Sequence, residues 1–338
     1  MLLSEFDFPF DPSLIATEPV TPRDQARLLV VDRRGGSLRH RHVSELPQLL
    51  APGDLLIVND TKVFAARMIG TKRPGGGTVE LLFIREVEPN LWDVMVKGAF
   101  RPGQIIDLEG NALAHVVERG TSCVVRIESV CPVRELLQRV GHVPLPPYIK
   151  RPPTPADRVW YQTMFAREEG AIAAPTAGLH FTPELIETLR EKGIRLATVT
   201  LHVGTGTFRP VTAEQVEDHR MDSEVVEVSA DTVGLIRKTK EAGGRVVAVG
   251  TTTVRALESA ARQEDEVNPL QGQTDLFILP GYRFRVVDAL MTNFHLPRTT
   301  LLMMVSALTG VDHLREVYRE AIEARYRFYS YGDAMLIL

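Results

Sequence analysis

His180, His202 and His295 stand in three short segments whose polar content packing alone would not require. PTAGLHFT (175–182) sets His180 two residues before Thr182, and Thr182 with Pro183 has the signature of a helix start. A helix start presents unpaired N–H groups and partial positive charge, a setting for a carboxylate or phosphate. In LHVGTGTFRPV (201–211) and the strand leading into it, alternation puts Thr198, Thr200 and His202 on one face. Leu201 and Val203 fall on the other. A face of two threonines and a histidine suits the lining of a site. Gly204 and Gly206 then bring backbone close to whatever binds, with Thr207 and Arg209 beyond. MTNFHLPRTTLL (291–302) places Asn293 and His295 around Phe294, directly after a strand. A fourth segment, AVGTTTVRALES (248–259), ends a buried strand in Gly250 and offers Thr251 and Thr252 where a helix begins. Ligands of α/β sheets sit at strand carboxyl ends beside such helix starts. Arg255 and Glu258, three apart on that helix, have the spacing of a local salt bridge.

Imidazole takes or gives a proton near neutral pH, and hydroxyls and amides supply oriented hydrogen bonds. From the residues alone, then, the chain reads as an enzyme-like α/β protein with a site of His, Thr, Asn and Arg. No metal-ligand spacing accompanies it, since the only closely spaced histidines, His40 and His42, lie in a basic cluster. Cys123 and Cys131 form no CxxC pair, which argues against a zinc site or a disulfide scaffold. Phosphate-cradling, dinucleotide and nucleophile-elbow motifs are absent, as is the glycine loop of conventional methyltransferases.

The elements that must position these residues change texture along the chain. ARLLVVDR (26–33) and DLLIVN (54–59) read as strands, with a short helix between them at 43–50. Five short apolar runs follow at close spacing, at 79–85, 91–97, 104–108, 112–118 and 121–128. That cadence predicts antiparallel sheet closed into a barrel. PLPPYIKRPPTPAD (144–157) is too rich in proline for helix or central strand. Beyond it strands and helices alternate, the mark of an α/β layer. The apolar end of YRFYSYGDAMLIL (326–338) predicts a docked final strand, with Asp333 at its start. The fold expected is a discontinuous α/β domain, residues 1–60 and 150–338, with a small antiparallel β-barrel inserted at 61–149.

The chain of 338 residues has a net charge of -4, unfavourable for a dedicated nucleic-acid binder. A local patch can still serve, and Arg33, Arg34, Arg39, His40, Arg41 and His42 lie within ten residues. Lys72 with Arg73, and Lys150 with Arg151, form smaller clusters. No apolar run reaches the roughly 20 residues of a bilayer span. The first residues, MLLSEFDFPFDPS, carry acids where a signal peptide carries basic residues, so a cytoplasmic protein is expected.

Taken together, these motifs resemble one family, the S-adenosylmethionine:tRNA ribosyltransferase-isomerases of queuosine biosynthesis. The likeness begins at FDFPFDPSLIATEPV (6–20) and RDQARLLVVDR (23–33). It continues through NDTKVFAAR (59–67), PLPPYIKR (144–151) and the four polar segments, and ends with the C-terminal run. One departure is Asp222, where the family commonly has His; His219 and Glu224 are present nearby.

The resemblance implies a pairing of α/β domain with inserted barrel. It implies S-adenosylmethionine as co-substrate rather than cofactor, and tRNA carrying 7-aminomethyl-7-deazaguanine as acceptor. The products implied are epoxyqueuosine-tRNA, adenine and methionine. Within that chemistry His180, His202 and His295 are the expected proton-transfer groups. Thr198, Thr200, Thr207, Thr251, Thr252, Arg255, Asn293 and Asp333 are the expected substrate anchors. Arg33, Arg34, Arg39, Arg41 and Arg209 are the expected contacts to tRNA phosphate. No metal, no membrane and a monomer are expected. An RNA methyltransferase and a non-catalytic tRNA-binding relative are the alternatives, separated from this reading by the released product.

Overall fold

The computed structural model describes every residue except 120–122, 205, 207–210 and 263–265. Thr207 and Arg209 lie outside the described residues. Nine strands form one sheet in the order Leu270–Thr274, Glu224–Val228, Arg195–Leu201, Leu55–Asn59, Val246–Val249, Ala289–Asn293, Ala334–Ile337, Arg27–Val31, Leu38–His42. The four from Arg195–Leu201 to Ala289–Asn293 are mutually parallel, so their carboxyl ends emerge along one edge.

Parallel strands covered on both faces read as unbroken apolar runs. LLIVN is such a run: Leu55 and Ile57 face one core, Leu56 and Val58 the other. Helices Ala230–Glu241, Thr251–Ala260, Thr300–Thr309 and Val311–Glu323 bury residues in the first core, and Pro183–Glu191 does so in the second. The final strand Ala334–Ile337 is fully buried between Ala289–Asn293 and Arg27–Val31, as the apolar C-terminus predicts.

Between Leu55–Asn59 and Arg195–Leu201 the chain builds a closed six-stranded antiparallel barrel. Its strands run in the order Cys123–Glu128, Leu91–Lys97, Thr78–Glu88, Arg67–Arg73, Ile105–Leu108, Ala112–Arg119. Alternation along Thr78–Glu88 sends Val79, Leu81 and Phe83 inward, where Phe83 meets Trp92 edge-on at 5.5 Å. Helix Val133–Val140 packs Val133, Leu136 and Leu137 onto the same core. A parallel pair, Thr61–Val63 with Glu168–Ala171, ties the segments entering and leaving the barrel.

The basic cluster at 33–42 is a hairpin, not a compact patch. Arg33 and Arg34 follow the end of Arg27–Val31, and Arg39 and Arg41 lie on the returning edge strand Leu38–His42.

Candidate active site

The carboxyl ends of the parallel strands, with the segments that follow them, open onto a cleft. A cleft at strand carboxyl ends is where α/β sheets hold small ligands. Gly250 sits where strand Val246–Val249 turns into helix Thr251–Ala260, at φ 87°, a left-handed conformation that favours glycine. The turn leaves Thr251 and Thr252 on the cleft wall, with Asn293 and His295 from the neighbouring strand end. Tyr148, from the proline-rich linker, and Tyr329 form a second wall, stacked with ring centroids 3.7 Å apart. The Tyr148 hydroxyl hydrogen-bonds that of Ser330, also a lining residue. Tyr161 is shared with a second, more open hollow, which Lys62, Phe64 and Arg158 also line.

The three histidines are placed differently. His295 lines the cleft, with Nε2 2.9 Å from the Thr292 hydroxyl. His180 lies behind Asn293, whose amide nitrogen donates to the Tyr329 carbonyl at 3.0 Å. A carbonyl only accepts, so that bond orients the amide. The same nitrogen therefore donates to His180 Nε2 at 3.2 Å, leaving the imidazole proton on Nδ1. Thr176 completes the arrangement by donating to the Asn293 oxygen at 3.3 Å. Burial pushes both imidazoles down to about 3, so both are neutral at pH 7. His202 is not in the cleft; its Nδ1 is 2.8 Å from the Thr61 hydroxyl, and its ring packs against Gly170. Burial lowers its pKa, while Asp60, Glu168 and Glu227 act the other way.

Thr251, Thr252, Asn293 and His295 thus come together, with His180 one hydrogen bond behind. Thr200 donates to Asp60 at 2.7 Å, and Asp60 pairs with Arg167 at 2.8 Å. The Thr198 carbonyl accepts from Thr232 at 2.8 Å. Arg255 is buried away from the cleft, paired with Glu224 and donating to the Leu276 carbonyl at 3.0 Å. The local Arg255–Glu258 bridge that the helix spacing suggests does not form. Glu258 is fully buried and accepts instead from the backbone amides of Arg285, Val286 and Val287, each at 3.0 Å. Three fixed donors outcompete one flexible guanidinium that has its own buried partner. Asp333 accepts from the backbone amides of Arg27 and Arg327 and from the Arg27 guanidinium, holding the start of the last strand.

The expected phosphate contacts also separate. Arg27 pairs with His42, and Leu28 with Ala334, whose other neighbour in register is Asn293. The His42 end of the edge strand therefore shares the cleft's edge of the sheet. Arg39 and Arg41 are exposed on that strand, three strand spacings from Ala289–Asn293, roughly 14 Å. Arg33 is at the opposite end, donating to the Asp288 carbonyl at 2.6 Å and the Leu338 carbonyl at 3.3 Å.

Asn59, Thr61, Tyr148, Tyr161, Thr176, Thr292, Tyr329 and Ser330 complete the surroundings without having been singled out by residue type. Asn59 and Thr61 did carry a signal, since Asn59 directly follows the apolar run DLLIV and Thr61 stands two residues beyond it.

A mixed α/β sheet, an inserted barrel and a polar cleft at parallel strand ends define a two-part enzyme of α/β class. The family described as "Queuosine biosynthesis protein" matches residues 3–337. The S-adenosylmethionine:tRNA ribosyltransferase-isomerase of Pelobacter propionicus is 48% identical over 343 residues, covering 100% of both chains. Its counterpart in Aquifex aeolicus is 49% identical over 341 residues, again with 100% of both covered. The crystal structure of an S-adenosylmethionine tRNA ribosyltransferase from Thermotoga maritima superposes with a TM-score of 0.58 at 38% identity, over 99% of this chain and 100% of that one. The chain belongs to the S-adenosylmethionine:tRNA ribosyltransferase-isomerase family of queuosine biosynthesis, and is a transferase.

Proposed function

We propose that this enzyme moves the ribosyl part of S-adenosylmethionine onto 7-aminomethyl-7-deazaguanine at the tRNA wobble position and isomerises it to epoxyqueuosine. Adenine and methionine leave. The observation that carries the reading is the cleft, where Thr251, Thr252, Asn293 and His295 converge at the strand ends in a chain of this family.

The chemistry follows from the co-substrate. Its sulfonium acidifies the C5′ protons, so a base can begin the reaction. Departure of adenine needs a proton or a hydrogen-bond donor at the leaving ring. The acceptor amine then bonds to the sugar, and methionine leaves as a neutral thioether. The sulfonium supplies the positive charge that a metal would otherwise bring, and on that ground no metal or further cofactor is assigned.

His295 is the cleft histidine and the first candidate for proton transfer. The amide groups at the start of Thr251–Ala260 suit the methionine carboxylate. This reading takes the enzyme as a cytoplasmic monomer. No helix among the described residues is long and apolar enough to cross a membrane.

Chromatography of a single-turnover mixture tests the proposal. Adenine and methionine should appear only with tRNA that carries the aminomethyl base. S-adenosylhomocysteine in their place would mean a methyltransferase.

A further inference from the structure

We infer that Asn59, which does not itself line the cleft, fixes Thr252 as a hydrogen-bond donor to the bound ligand. Asn59 is buried at the end of Leu55–Asn59, and its side chain makes four hydrogen bonds. Its oxygen accepts from the backbone N–H of Thr61 at 3.0 Å and of Leu201 at 3.1 Å. Its nitrogen donates to the Leu201 carbonyl at 2.9 Å and to the Thr252 hydroxyl oxygen at 3.1 Å.

The orientation of this amide is over-determined. Two backbone N–H groups can face only its oxygen, and a carbonyl can face only its nitrogen. The second amide proton therefore has to go to Thr252. That fills one lone pair of the threonine oxygen and leaves its own O–H to point elsewhere. No acceptor among the described residues takes that proton, and Thr252 lines the cleft. The ligand group it meets must then be an acceptor. A carboxylate fits best, because helix Thr251–Ala260 starts at the same place and presents amide donors alongside.

Three distant parts of the chain are coupled in this way. Thr61, placed by the same amide, is the partner of His202. A carboxylate at position 59 would reverse the polarity. It would draw the Thr252 proton inward and face the Leu201 carbonyl with an acceptor.

The inference rests on the proposed function for the identity of the ligand, so the probe is S-adenosylmethionine, titrated calorimetrically. Thr252→Ala and Asn59→Asp should each weaken binding roughly tenfold, the scale of one lost hydrogen bond to a charged group. The double variant should bind about as weakly as either single one, because both remove the same donor. Thr252→Ser should stay close to wild type. Undiminished affinity in Asn59→Asp, or losses that multiply in the double variant, would overturn the inference.

If Asn59→Asp does not fold, the side-chain NH2 resonance of Asn59 decides. It should shift on Thr252→Ala, and on adding S-adenosylmethionine to wild type. A resonance unmoved by Thr252→Ala would overturn the pairing. A wild-type protein that takes up no S-adenosylmethionine, with or without the modified tRNA, would sink the proposed function, while the response to Thr252→Ala would still judge the Asn59–Thr252 pair.

Discussion

Asn293 and His180 meet at 3.2 Å beneath the cleft, the amide giving the proton and the imidazole Nε2 receiving it. This makes His180 a group that orients Asn293, with its own proton on the far nitrogen. His295, by contrast, faces the cleft.

The two histidines should therefore fail differently. His295→Ala should lower turnover by roughly 10²-fold or more, the scale of a general acid–base group. His180→Ala should cost about tenfold, the scale of one hydrogen bond, without changing the shape of the pH–rate profile. His202→Ala, whose ring nitrogen meets the Thr61 hydroxyl, should fall between them. Steady-state kinetics from pH 6 to 9 checks all three, and a His180 variant with the largest loss and an altered profile would reverse the assignment.

Both buried imidazoles also enter the stability of the fold. Their pKa values are held down to about 3, against about 6.5 in an unfolded chain. Above about pH 6.5 both states are neutral and the stability is fully present. Below it the unfolded chain takes up protons that the native state cannot, so stability falls as pH drops toward 3. The slope is up to about 1.4 kcal/mol per pH unit for each group. Urea midpoints at pH 7.5, 6 and 5 should fall in that order, and His295→Asn should flatten the trend. Midpoints level from pH 7.5 to 5 would contradict it.

Arg255 is expected to matter for folding rather than for ligand affinity. Its removal leaves the buried Glu224 carboxylate without its cation, a loss of roughly 3–5 kcal/mol. Arg255→Ala should show a large drop in melting temperature, and Glu224→Gln in the same chain should recover part of it. A variant with normal melting behaviour but no affinity for S-adenosylmethionine would return Arg255 to the substrate.

The arginines of the hairpin should separate by function. Arg39→Ala with Arg41→Ala should weaken tRNA binding and make its salt dependence shallower by about one unit per lost contact. Arg33→Ala with Arg34→Ala should leave that slope unchanged and lower the melting temperature, because Arg33 donates to two carbonyls at the far end of the sheet. Salt titrations of the two double variants give the answer, and equal slopes would place the tRNA elsewhere.

The layer architecture was legible in the residue pattern because it is written locally. Apolar alternation at 79–85 or an unbroken run at 55–58 states how many faces a strand buries, and Thr182, Pro183 and Gly193 mark the ends of a helix within a dozen residues. The same logic found Thr251, Thr252, Asn293 and His295, since each lies where a strand gives way to a turn or helix. Weaker segments were not legible. RHRH at 39–42 and LQGQT at 270–274 are too polar to announce themselves as strands, and become strands by pairing at the two edges of the sheet.

What the sequence by itself determined was the set of elements, the strand ends that carry polar residues, and the family to which the whole belongs. Only the tertiary structure decided which of those residues meet. His202, Thr61, Asn59 and Thr252 come from three separate stretches of chain, joined because Leu55–Asn59 lies in register between Arg195–Leu201 and Val246–Val249. Arg33 and Arg41 are eight positions apart in sequence and lie toward opposite ends of one hairpin, Arg33 in its turn and Arg41 beside its open end. Side-chain type is local, whereas the partner that sets a histidine's proton or an amide's direction is supplied across strands. Register across the sheet, which no local spacing encodes, therefore decided which polar groups meet at the cleft.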